Sequence, residues 1–419
     1  MEILKDRSDL KKHSVLYFLS KAFPSLFTLL SIVLFVRLAG KEEYGKYSLL
    51  ISIILFTLTF TSGWISQVIL RFDSLYSRTR EKLRYTKAVM LSSLASLALG
   101  AIVLCAAVGT VPRAPALTLP IGITIYVFAF AYTLKNARLQ VGLNSREIVW
   151  NELIRSLVIL IVPVLLFLLF GRMDSIMILS GVCVAYLSAL LFRLGGAENR
   201  RLMRVPFLSA LDSRPYLVEY AKYGLPLSLW LAVAYLLNVS DRYLIAYFTS
   251  YEDVGVYSAV YDLVYKSFSV AFFPILMAAH PLIMNNWSKN RGDSLKILKK
   301  SLKYEALVFP FIVAGIVAAS PVLSRMLKMD RRVVLGVGIP VAVGAFLWQF
   351  SMLLHKPMEL HNKTPLMLVF VSLALLVNVV GNIVFIPRFG FFAAAYTTMA
   401  GAVVYIFLIT LNYVKFSTS

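Results

Sequence analysis

Twelve apolar runs, each long enough to cross a bilayer as a helix, divide this chain almost from end to end. They lie near 14–38, 45–70, 86–108, 118–141, 148–170, 175–195, 218–248, 254–284, 304–327, 333–355, 364–386 and 390–413. A hydrocarbon core takes about 20 residues of helix, and only helices or closed barrels satisfy their backbone there. The pattern predicts an all-α membrane protein with twelve transmembrane helices. The 419 residues are 59% hydrophobic and 15% charged, against roughly half and a quarter in soluble domains. A net charge of +21 would otherwise suggest nucleic-acid binding, but the basic residues lie between the runs. Cys105 and Cys183 fall inside runs, which argues against a disulfide framework or a metal site. The charged start, residues 1–13, leads into the first run without a small-residue cleavage pattern, so no removable signal is expected.

Lys and Arg crowd the alternate gaps that include both termini, among them 71–85, 196–217 and 285–303, and are sparse in the others. The positive-inside rule therefore places both termini in the cytoplasm. No gap is long enough for a folded extramembrane domain. Arg200, Arg201, Arg204 and Arg214 around Pro206 and Pro215 mark 200–217 as a cytoplasmic linker between an N-terminal bundle (1–199) and a C-terminal bundle (218–419). Within 288–306, Leu295, Leu298 and Leu302 share a helical face beside Lys296, Lys299, Lys300 and Lys303. That predicts an interfacial helix on an anionic leaflet, with a solvated basic loop as the open alternative. Pro226, Pro274 and Pro281 are expected to break or kink the seventh and eighth helices.

The signature Glu42-Glu43-x-Gly45-x-Tyr47-Ser48 returns as Glu252-Asp253-x-Gly255-x-Tyr257-Ser258, half a chain length later and in a matching gap. Two related halves in a polytopic chain are the usual plan of a secondary transporter. No G-x-x-x-x-G-K-[ST] is present, and His13, His280, His355 and His361 form no H-E-x-x-H or nucleophile triad. Transport energy must then come from an ion gradient, the substrate gradient or later steps.

An ionisable residue at the centre of a span costs on the order of 3 kcal/mol by insertion scales, so it faces a cavity or a partner. The candidates are Lys21 in the first span, Arg138 low in the fourth, Arg155 in the fifth, Asp241 and Arg242 in the seventh, and Asp262 and Lys266 in the eighth. Their sign is mostly positive, which suits a phosphate or pyrophosphate that brings its own counter-charge. Plainer readings stay open. Lys21 can snorkel to the inner interface, Arg138 can be a topological charge, and Asp262 and Lys266, four apart, can neutralise one another. Asp241 and Arg242 point about 100° apart, so separate partners are expected for them. Tyr257, Tyr261 and Tyr265 line one helix face, where rings stack on sugars or simply pack.

Pro226, Asp241-Arg242-Tyr243 and Glu252 to Ser258 resemble the start of the second half in polysaccharide transporters. These are lipid-linked oligosaccharide flippases of the multidrug/oligosaccharidyl-lipid/polysaccharide (MOP) superfamily. Arg37 to Tyr47 echoes the pattern in the first half. Asn362-Lys363-Thr364, Asn378, Asn382 through Gly390, and Ala393-Ala394-Ala395 are similar to that family's last two spans. The resemblance implies two six-helix pseudo-symmetric bundles around a central cavity that opens alternately to each side. It implies movement of an undecaprenyl-pyrophosphate-linked oligosaccharide to the outer leaflet of a bacterial cytoplasmic membrane, for O-antigen or other surface polysaccharide. The implied partners are that glycan, the lipid bilayer and polysaccharide polymerase machinery, with no nucleic acid. Lys21, Arg138, Arg155, Arg242 and Lys266 are then expected to bind substrate. Asp241 and Asp262 are the candidate carboxylates for coupling to H+ or Na+, with no other cofactor, no metal and no catalytic residue. The two extra spans of some peptidoglycan-precursor flippases are missing. The runner-up is a cation-coupled drug or metabolite antiporter, which would want carboxylates in its cavity. A membrane-embedded glycan polymerase or ligase would need a structured outward loop that the sequence lacks.

Overall fold

Helix follows apolar run throughout the residues that the computed structural model describes, 24–76, 81–111, 117–192, 214–287 and 290–418. The elements are α1 (Pro24–Ala39), α2 (Lys41–Tyr76), α3 (Lys82–Gly109), α4 (Thr118–Val141), α5 (Ser145–Phe170), α6 (Ser175–Leu191), α7 (Arg214–Phe248), α8 (Tyr251–Trp287), α9 (Arg291–Leu327), α10 (Arg331–Leu354), the short α11 (Lys356–Leu360), α12 (Thr364–Phe389) and α13 (Phe392–Thr418). Among the described residues, ten helices are long and apolar enough to cross a membrane, and α1 and α6 are shorter apolar helices. Leu168, Leu169 and Phe311 are 71%, 76% and 77% exposed, a surface that suits lipid rather than water. The start of the first predicted span and most of the predicted 200–217 linker lie outside the described residues.

Of the break or kink expected at Pro226, Pro274 and Pro281, the break does not occur: α7 and α8 each remain continuous through their prolines; in a membrane, neighbouring groups re-satisfy a carbonyl freed by proline. The predicted interfacial helix is not a separate element but the first turns of α9. At 37 residues and 1.5 Å per residue, α9 runs about 55 Å, well beyond a hydrocarbon core of about 30 Å. Its Leu298 is buried with Ala279, Ile283 and Leu353, and Leu295 and Leu302 pack on that cluster. Protein, not lipid, therefore covers the apolar face, while Lys296, Lys299, Lys300 and Lys303 remain exposed.

The chain groups into two compact units, one on Leu50–Ala232 and one on Thr28–Leu49 with Val233–Ser419. In the first, α6 packs on α4 and α5. The Tyr126 hydroxyl bonds Thr61 Oγ1 at 2.8 Å and donates to the Ser96 carbonyl at 3.1 Å. It occupies the space that a Cβ on Gly100 would need. Lys135 of α4 caps the end of α6, donating to the carbonyls of Ala189 (3.0 Å) and Phe192 (2.8 Å), with Glu147 3.6 Å away. A cation there satisfies orphan carbonyls and opposes the helix dipole. Lys135→Met is expected to lower stability by about 2 kcal/mol, read as thermal unfolding in detergent. A change within about 0.5 kcal/mol, the usual size for an inconsequential surface substitution, would mean that other donors serve those carbonyls.

In the second unit, α12 and α13 pair, α10 packs on α8 and α13, and α9 packs on α8 and α10. Arg37 of α1 caps α9 as Lys135 caps α6, with Nε donating to the Met326 carbonyl at 2.7 Å and Nη2 to Arg325 at 3.1 Å. The repeated signature finds its physical reason here. Glu42, Glu43, Glu252 and Asp253 fill the first turns of α2 and α8, where the dipole favours acids. Those two helix starts meet at Gly45 and Gly255. A Cβ on Gly45 would overlap the Tyr251 carbonyl oxygen and stand 2.8 Å from Gly255 N. A Cβ on Gly255 would overlap the Lys41 carbonyl oxygen and stand 3.1 Å from Gly45 N. The two copies of the repeat are thus packed against each other, glycine on backbone, in a reciprocal contact.

Candidate functional site

Asp241, fully buried on α7, is the hub of a polar cluster assembled from four helices. Its Oδ1 accepts from Asn378 Nδ2 at 3.1 Å and Asn382 Nδ2 at 2.7 Å, both on α12. Its Oδ2 accepts short hydrogen bonds from the hydroxyls of Tyr257 on α8 and Thr398 on α13. Around them, Ser240 Oγ donates to Asn378 Oδ1 at 3.0 Å, and Thr397 Oγ1 donates to Asn382 Oδ1. The asparagines stand at i and i+4, so they share a helix face, and consecutive Thr397 and Thr398 reach it from the paired helix. Every donor to the carboxylate is neutral. Carboxylate, amide and hydroxyl oxygens together suit a hard cation. Among the described residues no three His, Cys, Asp or Glu gather as a soft metal would require.

A small cavity adjoins the cluster, lined by Leu237, Asn238, Tyr261, Tyr265, Trp348 and Thr398 among others. Tyr257, Tyr261 and Tyr265 run along one face of α8 as expected, with successive ring centroids 5.6 Å apart. Tyr261 donates its hydroxyl to Asn238 Oδ1 at 3.0 Å.

The neighbouring residue takes a different partner. Arg242 Nη2 meets Asp262 Oδ1 at 2.5 Å, and Asp262 Oδ2 accepts from the Tyr44 hydroxyl at 3.3 Å. The ion pair of Asp262 is therefore with Arg242 across two helices. Lys266, half-buried, lies one turn further along α8. In the first unit, Arg155 meets Glu152 at 2.7 Å, and its guanidinium lies 5.9 Å from the Tyr132 ring and 5.5 Å from that of Tyr186. Arg138 sits half-buried in the last turn of α4, where a cation suits the dipole. Lys21 lies outside the described residues. Within the second unit the structure brings Asp241, Arg242 and Asp262 together, and within the first it pairs Arg155 with Glu152. It corrects the argument from uncompensated cations: Arg155 and Arg242 already have carboxylate counter-charges. Sequence reasoning missed Asn378, Asn382, Thr397, Thr398, Glu152 and Lys135 as parts of these groups. An asparagine pair four apart in an otherwise apolar run was the available signal for the first of them.

Known structures share this arrangement of helices. A structure titled as the lipid II flippase MurJ in an inward closed conformation is 16% identical, with a TM-score of 0.68 over 96% of this chain and 90% of that one. An inward-facing multidrug resistance MATE family transporter of the MOP superfamily is 15% identical, with a TM-score of 0.71 over 94% and 95%. The MATE multidrug transporter DinF-BH is 15% identical, with a TM-score of 0.65 over 99% and 96%. Identities this low speak for the fold alone, and none of the curated proteins matches the sequence. The fold is the multi-pass helical membrane fold that these structures share. The chain belongs to the polysaccharide biosynthesis protein family, whose family model matches residues 10–287.

Proposed function

We propose that this protein is a flippase that carries a polyprenyl (undecaprenyl) pyrophosphate-linked oligosaccharide from the inner to the outer leaflet of a bacterial cytoplasmic membrane by alternating access. The observation that carries this reading is membership of a polysaccharide biosynthesis family on a fold whose relatives are named as flippases and transporters. The chain is a carrier, not an enzyme, with both termini in the cytoplasm on the strength of its Lys and Arg distribution. Lys21, Arg138 and Lys266 offer charge to the diphosphate. Arg155 and Arg242 engage it by exchanging Glu152 and Asp262 for phosphate oxygens, and Arg can bind either group in a bidentate fashion. Asp241 is the coupling carboxylate: the oxygen-rich cluster around it supports co-movement of Na+ or H+.

The test is flipping of a labelled undecaprenyl-diphosphate glycan by the purified protein in proteoliposomes, beside loss of surface polysaccharide on gene deletion. Arg155→Ala and Arg242→Ala are expected to slow flipping at least tenfold, with milder loss for Lys in their place. Normal flipping by both alanine variants would end the diphosphate mechanism. The likeness to MATE transporters favours a second reading, a cation-coupled drug or metabolite antiporter. Efflux of a fluorescent organic cation with no flipping would select it.

A further inference from the structure

Three acidic residues are buried among the described ones: Glu152, Asp241 and Glu305. Glu152 is ion-paired with Arg155, and Asp241 accepts four hydrogen bonds. Glu305, on α9, has neither. It is 1% exposed, and no described residue gives it a hydrogen bond or an ion pair; Oε2 is enclosed without a donor. Buried polar groups are satisfied in the great majority of cases, so an exception needs an explanation.

The surroundings of Glu305 can be bracketed from both helices that pack on α9. Towards the start of α9, Ser294 Oγ donates to the Ile283 carbonyl of α8 at 3.2 Å. Four residues beyond Glu305, the Phe309 ring lies 6.2 Å from Phe268 of α8 and 4.2 Å from Phe346 of α10. With antiparallel packing, Glu305 falls near the level of Phe272 on α8 and Gln349 on α10. Phe268 and Phe272 stack at 5.6 Å, and Phe272 lies 6.1 Å from Phe346, so a group of phenylalanine rings joins α8 and α10 near this level. The charged or titratable groups nearest in sequence to that level are Lys266 and His280 on α8, each about two turns away, and His355 just past α10. On α9 itself Lys303 is exposed while Glu305 is buried, and Arg37 of α1 reaches only the far end of the helix. None of them compensates the carboxyl. By contrast, Glu359 in the same unit holds Lys356 at 2.5 Å.

An ionised carboxylate is costly in such a place, and the smallest ligand that removes its charge is a proton. We propose that Glu305 is an occluded proton-binding site, separate from the Asp241 cluster and loaded from the N-terminal end of α9. Ser294 and Ser301 are buried on the same helix face, eleven and four residues before it, and place hydroxyls between that end and the carboxyl. Ser301 Oγ donates back to the Ile297 carbonyl at 3.0 Å, leaving its oxygen able to accept. With Glu305 buried, a bound proton exchanges only when α8, α9 and α10 part. This site does not depend on which cargo the protein carries.

The purified full chain, compared with Glu305→Gln, tests it. The glutamine keeps the shape and cannot ionise. If the folded protein binds a proton that the unfolded chain releases, stability must fall as pH rises. The wild-type thermal midpoint is therefore expected to drop between about pH 5 and about pH 9, and the drop should shrink in Glu305→Gln. Equal slopes would overturn the proposal. Infrared spectra at neutral pH should contain a protonated-carboxyl band that persists in Asp241→Asn and disappears in Glu305→Gln. Should the glutamine variant fail to fold, Glu305→Asp must shift that band. An unshifted band, or none in the wild type, would equally overturn it.

Discussion

One methyl group added at Gly255 is expected to destabilise the protein by about 3 kcal/mol or more, at the upper end of what overpacking costs. The new Cβ would overlap the Lys41 carbonyl oxygen and stand 2.7 Å from the Lys41 carbonyl carbon. Both are backbone atoms in the first turn of α2, and neither can swing aside as a side chain would. Gly45→Ala meets the mirror obstacle at the Tyr251 carbonyl, with its carbon 3.0 Å away. Because the two substitutions push apart the same pair of helix starts, the double variant should cost clearly less than the sum. Gly315→Ala supplies the control: nothing lies within 4 Å of its Cβ, and Ala in place of a helical Gly is expected to be neutral or to stabilise by about 0.5–1 kcal/mol. Thermal unfolding of the purified variants in detergent decides the matter. A Gly255→Ala protein as stable as Gly315→Ala would show that the contact between the two repeats is not close-packed.

That contact also marks how far the sequence could be read. Repetition of the signature was visible in the chain, and so were its glycines. What it does was not, because packing of Gly45 on Tyr251 depends on a pairing of helices two hundred residues apart. The spans themselves were legible almost to their ends, since bilayer thickness fixes how long an apolar run must be. The departures occur where that rule stops applying. The turns of α9 before residue 304 carry lysines, so hydropathy ends the span there while the hydrogen-bonded helix continues from Arg291. Asp241 and Arg242, which stand out as charges within an apolar run, are both buried. Their partners were harder to see. Glu152 and Glu305 lie within a turn or two of predicted span starts at 148 and 304 and read there as interface residues, yet both are buried. Asn378, Asn382 and Thr398 carry no charge, so a census of ionisable residues passes over the donors that surround Asp241. Lys135 escapes for another reason: the carbonyls that it caps belong to a helix end some fifty residues away.

Replacing Asp241 should have the largest functional effect, and two variants separate charge from shape. Asp241→Ala removes the acceptor for Tyr257, Thr398, Asn378 and Asn382 at once. Each buried donor left unmet costs about 1–3 kcal/mol, so this variant is expected to fold poorly, and a transport defect in it would say little. Asp241→Asn keeps an oxygen for two of those donors and turns an amide N–H towards the others, a smaller penalty of about 1–3 kcal/mol. It removes the negative charge altogether. If the cluster holds the coupling ion, Asp241→Asn protein that is folded should flip its cargo at least tenfold more slowly under an imposed Na+ or H+ gradient. Its residual rate should be indifferent to that gradient. Asn378→Ala leaves the charge in place but removes one amide, and should weaken ion dependence without abolishing it. Flipping measured in proteoliposomes with the gradient imposed in either direction distinguishes these outcomes. If Asp241→Asn keeps both its rate and its response to the ion, the cluster serves only to join α7, α8, α12 and α13. Coupling would then have to be sought at another group.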